Sequence, residues 1–200
     1  MHFLDLPDVF IGSTDDAHTF VVLNRPLRGA DRLLTDAGFT VREVNGRTVY
    51  LLPPGTAQEA HDRAGTAMHG LLARTHDLVD LSWTTRWSPK GPLPDPDLRF
   101  TFTDATVTAS AATPEARSLL EQHGFTPSAD ASSYRPPERR KDHALLGTVV
   151  RAEIHAYVQG LGVRVELGIP TPDAIPAPTH RARSAVPAAP GARQAPRRSH

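Results

Sequence analysis

The chain has no cysteine, only two methionines and two tryptophans, and aromatic residues make up 6% of it. Without cysteine there are no disulfides, thiolate nucleophiles, or cysteine-ligated zinc or iron–sulfur centres. No apolar run approaches the roughly 18 residues of a membrane-spanning helix. The start, Met1-His2-Phe3-Leu4-Asp5, lacks the basic opening and apolar stretch of a secretion signal. A cytoplasmic protein without membrane contact is therefore expected. An excess of one charge sign is also missing: 22 basic residues balance 22 acidic ones over 200 residues. That argues against a whole-chain polycation for nucleic acid and against an acidic tail protein.

Arginine, alanine and proline are abundant. Lys90 and Lys141 are the only lysines, a bias typical of high-GC bacterial genes. The 19 prolines are concentrated. From Pro170 onward the chain is rich in proline and alanine and has no apolar periodicity, so residues 170–200 are expected to be a disordered tail. That tail carries Arg181, Arg183, Arg193, Arg197 and Arg198 against Asp173 alone, a formal +4, which leaves −4 on residues 1–169. A second proline-rich stretch, centred on residues 88–96, reads as a stiff connector.

The same order of features recurs on either side of that connector. Leu33-Leu34, Gly38-Phe39, Tyr50, Pro53-Pro54, His61 and Gly65-Thr66 are matched by Leu119-Leu120, Gly124-Phe125, Tyr134, Pro136-Pro137, His143 and Gly147-Thr148. The ordered set indicates two copies of one unit, assigned to residues 1–87 and 97–169. Each copy reads strand–strand–helix–strand–strand–helix–strand. Strands are predicted at 9–11, 18–23, 41–44, 47–51 and 78–83, and at 98–102, 105–109 and 163–167. Asn45-Gly46 is a strong hairpin signal. Thr56 with Glu59 makes a capping box, and Thr113-Pro114-Glu115 opens a helix that Gly124 closes. Ala60, Ala64, Ala67, Met68, Leu71 and Leu72 are the expected buried face of the first long helix. Leu146, Val149, Val150, Ile154, Tyr157, Val158 and Leu161 are that of the second. The fold class expected is α+β, two tandem repeats whose order, once the first strand is dropped, is the βαββαβ of ferredoxin-like units.

Candidate sites are sparse. His61, His69 and His76, assigned to the first long helix, are seven and eight residues apart and cannot converge on one ion. Glu153 and His155 point to different helix faces. His61 and His143 occupy equivalent places, but Asp62-Arg63 and Ala144-Leu145 follow them, where a duplicated catalytic motif would place a hydroxyl. No metal, cofactor or catalytic group is assigned. Gly65 and Gly147 fall inside helices and suggest close packing there. Arg139, Arg140 and Lys141, with Arg135 just before them, load positive charge at a helix start and form a candidate anion- or nucleic-acid-binding site together with the tail arginines. Trp83, Trp87, His61 and His143 are the candidate inter-repeat or partner surface.

These features suggest a non-catalytic binding or assembly protein whose partner is another protein or itself. The alternative is a nucleic-acid-associated accessory factor of a bacterial mobile element, acting in transfer or replication, with weak contact through the tail.

Overall fold

The computed structural model describes residues 2–87, 95–103, 106–129, 132–137 and 142–179. It is a mixed α+β fold with two five-stranded sheets and four helices. The first sheet holds β1 (Val9–Ser13), β2 (Thr19–Leu23), β3 (Thr40–Val44), β4 (Arg47–Leu52) and β5 (Leu78–Asp80). Helices α1 (Ala30–Asp36) and α2 (Ala57–Leu72) lie between them in sequence. The second sheet holds β6 (Leu98–Phe102), β7 (Val107–Ala111), β8 (Thr126–Pro127), β9 (Tyr134–Arg135) and β10 (Val163–Glu166), with α3 (Pro114–Gln122) and α4 (Asp142–Val158).

The spatial orders are β3-β4-β2-β1-β5 and β8-β9-β7-β6-β10, the same arrangement twice. In each sheet the first and last strands of the repeat pair in parallel, and the other pairings are antiparallel. Removing β1 leaves β5-β2-β4-β3, two split β-α-β units in ferredoxin-like order. The extra strand is inserted between β2 and β5.

The register repeats as well. Val9 pairs with Leu78 and Leu23, and Leu98 pairs with Val163 and Ala111. Tyr50 faces Val21, and Tyr134 faces Ala109. The helix ends also match. Phe39 N donates to Leu34 O and Phe125 N to Leu120 O, both at 3.0 Å, across Gly38 (φ +92°) and Gly124 (φ +82°). Those left-handed glycines close both short helices as the repeated Gly-Phe pairs predict. Asn45 and Gly46 both have positive φ, as a two-residue hairpin requires. The Thr56–Glu59 capping box and the Thr113 cap, which accepts from Ala116 N, are present.

Two cores follow. Val9, Ile11, Val21, Tyr50 and Leu52 pack one face of the first sheet against α1 and α2 through Leu34, Ala64, Ala67 and Leu71. The other face, with Phe10, Phe20, Val22, Val49, Leu51 and Val79, joins a larger core that takes in Phe100, Phe102, Phe125, Leu146, Val149 and Leu167 of the second repeat. The two repeats therefore share one interior. Gly12 sits at the contact: a Cβ there would lie 2.7 Å from Leu167 Cδ1 and Phe20 Cζ and 2.9 Å from Phe10 Cε1.

The packed chain runs ten residues beyond Ile169, where composition placed the start of the tail. Asp15 and Asp16 donate from their backbone N–H to the carbonyls of Ile169 and Pro170. Ile175 is fully buried in the shared core. Asn45 Nδ2 donates to the carbonyls of Asp173 and Ile175 at 3.0 and 2.8 Å, and Arg47 Nε to that of Pro176 at 3.0 Å. Thr179 N donates to Asp5 at 3.1 Å, and the Arg47 guanidinium bonds the same carboxylate. Backbone and side-chain partners on the β3–β4 hairpin thus order a proline-rich strap that has no periodicity of its own. All five tail arginines lie outside the described residues.

The helix faces need correction. Leu72, Ile154 and Val158 are exposed rather than buried. The buried face of α4 is Leu146, Thr148, Val149, Ala152, Glu153 and Ala156. Small alanines let the helix approach its neighbours closely, and a reading weighted to large side chains turned the face aside. His76 lies beyond the end of α2. Among the described residues no helix is long and apolar enough to cross a membrane.

Candidate functional site

The two sheets differ on the face turned away from their own helices. In the first sheet that face carries Phe10, Phe20, Val22, Leu51, Val79 and Leu81, all buried. The matching register positions of the second sheet hold Arg99, Thr108, Ser110, Arg135, Arg164 and Glu166, half-buried or exposed. Thr101 stands where Gly12 stands. The alternation Leu98-Arg99-Phe100-Thr101-Phe102 explains the result: odd members face α3 and even members face out. Arg99 and Arg164 both reach Glu166, Arg164 Nε at 3.4 Å, and Thr101 Oγ1 donates to Glu166 at 3.3 Å. Arg135, on β9, is exposed. Three guanidiniums from three strands, one carboxylate and a set of hydroxyls make a polar face with a positive balance.

A second constellation lies where α4 meets the first repeat. Asp80 ends β5. Its Oδ1 accepts from Ser82 N at 2.9 Å, and its Oδ2 accepts from Thr85 Oγ1 at 2.6 Å and Arg86 Nη1 at 2.8 Å. Arg86 belongs to the 3₁₀ turn Thr84–Arg86 and also reaches Glu153 of α4, Nη2 to Oε2 at 3.4 Å. Its guanidinium lies 5.8 Å from the centre of the Tyr157 ring. Burial pushes the Glu153 carboxyl up to about 7, with Arg86 opposing and Asp80 reinforcing the rise. The Tyr157 phenol is raised by burial first and by Glu153 next.

Beside this cluster sits a buried group of hydroxyls. Ser13 Oγ donates to Ser82 Oγ at 3.2 Å, Thr19 bonds Thr84, and Thr84 N donates to Ser82 Oγ at 3.1 Å. His61 Nδ1 faces the Thr84 carbonyl at 3.0 Å, so that nitrogen carries the proton and donates.

The candidate residues from the sequence are dispersed. The His61 ring lies 5.8 Å from that of Trp87, within the first repeat, and Trp83 is 41% exposed. His143, at the start of α4, pairs with Asp77 before β5 at 3.1 Å. His61 and His143 thus attach to opposite ends of β5. His155 turns to His123, Nδ1 to Nε2 at 3.1 Å, away from Glu153 as the spacing predicts. Arg139, Arg140 and Lys141 lie outside the described residues, as do Arg181, Arg183, Arg193, Arg197 and Arg198.

Gly65 and Gly147 do not mark close packing. A Cβ on Gly65 would meet open space, and one on Gly147 only the Arg151 guanidinium at 3.3 Å. Gly70 is the tight position, where a Cβ would lie 2.1 Å from Leu33 Cδ1 between α1 and α2. A shallow concavity of about 370 Å³ nearby is lined by Asp36, Ala37, Gly38, Asp62, Arg63 and Thr66.

Sequence reasoning missed Asp80 and Arg86 and weighed Glu153 only beside His155. The available signal was an acid in each of two apolar settings, Leu78-Val79-Asp80-Leu81 and the Val149–Glu153–Tyr157 row of α4. Neither family models, nor curated proteins, nor solved structures give a match to this chain.

Proposed function

We propose that this chain is a two-repeat binding protein whose contact surface is the outer face of the second sheet. The observation that carries the reading is the register-matched exchange of an apolar, covered face in the first repeat for an arginine- and hydroxyl-bearing, uncovered one in the second. A positive balance of Arg99, Arg135 and Arg164 over Glu166 favours an acidic protein surface as the partner.

A second reading is a nucleic-acid-associated accessory factor. Its support is that arginine and hydroxyl side chains on one face are also the donors that contact phosphate. Among the described residues the face carries no aromatic side chain for bases to stack on. Such contact would be salt-steep and indifferent to sequence.

The test uses the full chain and an R135E/R164E variant, both positions being exposed. A polyglutamate peptide and a labelled 30-nucleotide single strand are the probes, at 50 and 150 mM salt. The binding-protein reading expects polyglutamate binding that survives 150 mM salt and falls at least tenfold in the variant. Nucleic-acid binding that survives 150 mM salt and is lost in the variant would promote the second reading. Binding of neither probe, or binding indifferent to the variant, would remove both. A chain ending at Thr179 separates the tail's share and keeps the strap.

A further inference from the structure

We propose that the junction between the two repeats is a proton-operated clasp, closed when Glu153 is protonated and loosened when its proton leaves to water. Hydrogen-bond donors are scarce at this junction. Two carboxylates, Asp80 and Glu153, share one guanidinium, Arg86, and both side chains are at most 5% exposed. Asp80 is fully served, by Ser82 N, Thr85 Oγ1 and Arg86 Nη1. Glu153 receives the longer Arg86 contact, at 3.4 Å. A buried carboxylate with so few donors is costly, and two of them on one cation leave a net negative charge in the interior. With the fuller set of donors on Asp80, Glu153 is the group that keeps a proton.

The remaining charged groups around α4 do not relieve it. Asp5, the last residue of the 3₁₀ turn Phe3–Asp5 that packs on α4, is taken by Arg47 and Thr179. Arg164 and Glu166 of β10 face outward on the second sheet. His123 of α3 is engaged by His155. His61 of α2 is turned to the Thr84 carbonyl. Tyr157, on α4 itself, holds its proton against the same field.

The cluster joins the repeats, because Asp80 and Arg86 belong to the first and Glu153 to the second. Ionising Glu153 sets a second anion against Asp80 and pushes the Thr84–Arg86 turn and α4 apart. The position of the Glu153 carboxyl, about 7, places the change near neutral pH. Because the folded value lies above the ordinary 4.5, the native state holds the extra proton between the two. Stability falls as pH rises through that window and levels off above it. The accompanying rise in the unfolding equilibrium constant is on the order of a hundredfold.

The chain carries its own reporter. Trp83 and Trp87, the only tryptophans, bracket the turn that holds Arg86. The experiment is a tryptophan-fluorescence titration of the full-length chain from pH 5 to 9. His61, whose ring adjoins Trp87, is the competing titrating group. The expected result is a one-proton transition near pH 7 in the native chain, kept in H61Q and absent in E153Q. A flat native titration, a transition that persists in E153Q, or one that disappears in H61Q would overturn the clasp. Carbon-13 detection of the Glu153 carboxyl in the unsubstituted chain is the companion measurement, needing no variant. A midpoint near 7 supports the clasp and one near 4.5 overturns it.

Discussion

The first sheet is covered on both sides and the second on one, although strand order, register and helix ends are the same in both. The difference lies in a handful of side chains at equivalent positions: Phe10 against Arg99, Phe20 against Thr108, Val22 against Ser110, Leu51 against Arg135, Val79 against Arg164. One backbone plan serves as an inner layer or an outer one according to what its second face carries. In repeat architectures a terminal unit needs a polar outer face to end the stack. The second repeat plays that part here.

The sharpest way to break the comparison is to give the first sheet the second sheet's residue. Phe20→Thr should cost about 4 kcal/mol in denaturant unfolding, because a fully buried ring is lost from the shared core. The reverse exchange, Thr108→Phe, should move stability by no more than about 0.5 kcal/mol, since it fills no void. Comparable losses at both positions would mean that the second face is covered too. Next in size is Gly12→Ala, expected to cost about 1–3 kcal/mol because three buried side chains surround the added methyl. Its counterpart, Thr101→Ala, should be close to neutral.

Smaller and opposite in sign is Gly65→Ala. The methyl would enter open space within a helix, so a gain of about 0.5–1 kcal/mol is expected in thermal unfolding. A loss there would restore the close-packing expectation that the spacing of the glycines first suggested.

Two of the buried carboxyls, Asp5 and Glu153, offer a comparison through pH. Burial works against the Asp5 carboxylate, but hydrogen bonds from Thr179 and then Arg47 hold it below its ordinary 3.8. Its contribution is present above that value and is lost as pH falls through the lower folded one. Glu153 acts in the other direction, stabilising at low pH and weakening toward 7. Denaturant midpoints measured from pH 2.5 to 9 should therefore fall at both ends. D5N should reduce the acid-side fall and E153Q should remove the neutral-side one.

Much of this architecture is legible locally. The Gly-Phe pairs, Asn45-Gly46, the Thr56 box and the Thr113 cap each fix a turn within a few residues, so the repeat could be read without a structure. The layering was legible too, in a signal left unused. Val9-Phe10-Ile11 and Phe20-Val21-Val22-Leu23 are continuously apolar, as a strand buried on both faces must be, whereas Leu98–Phe102 alternates, as a half-exposed strand does. The Asp80–Arg86–Glu153 cluster was not legible, because 67 residues separate Arg86 from Glu153 and no local rule pairs them. The strap was misjudged for the same reason. Its order comes from Asn45, Arg47 and Asp5, more than 120 residues away in sequence.

That strap also sets a timetable for synthesis. The first repeat is made first and finished last. After β5 is made, about a hundred residues must follow before Ile175 and Thr179 can close over the β3–β4 hairpin and Asp5. At ordinary translation rates this takes on the order of 5–20 s. Through that interval Phe10, Phe20, Val22 and Leu51 form an apolar sheet face still waiting for its cover, so the nascent first repeat is the stage at which this protein most needs a chaperone's shelter.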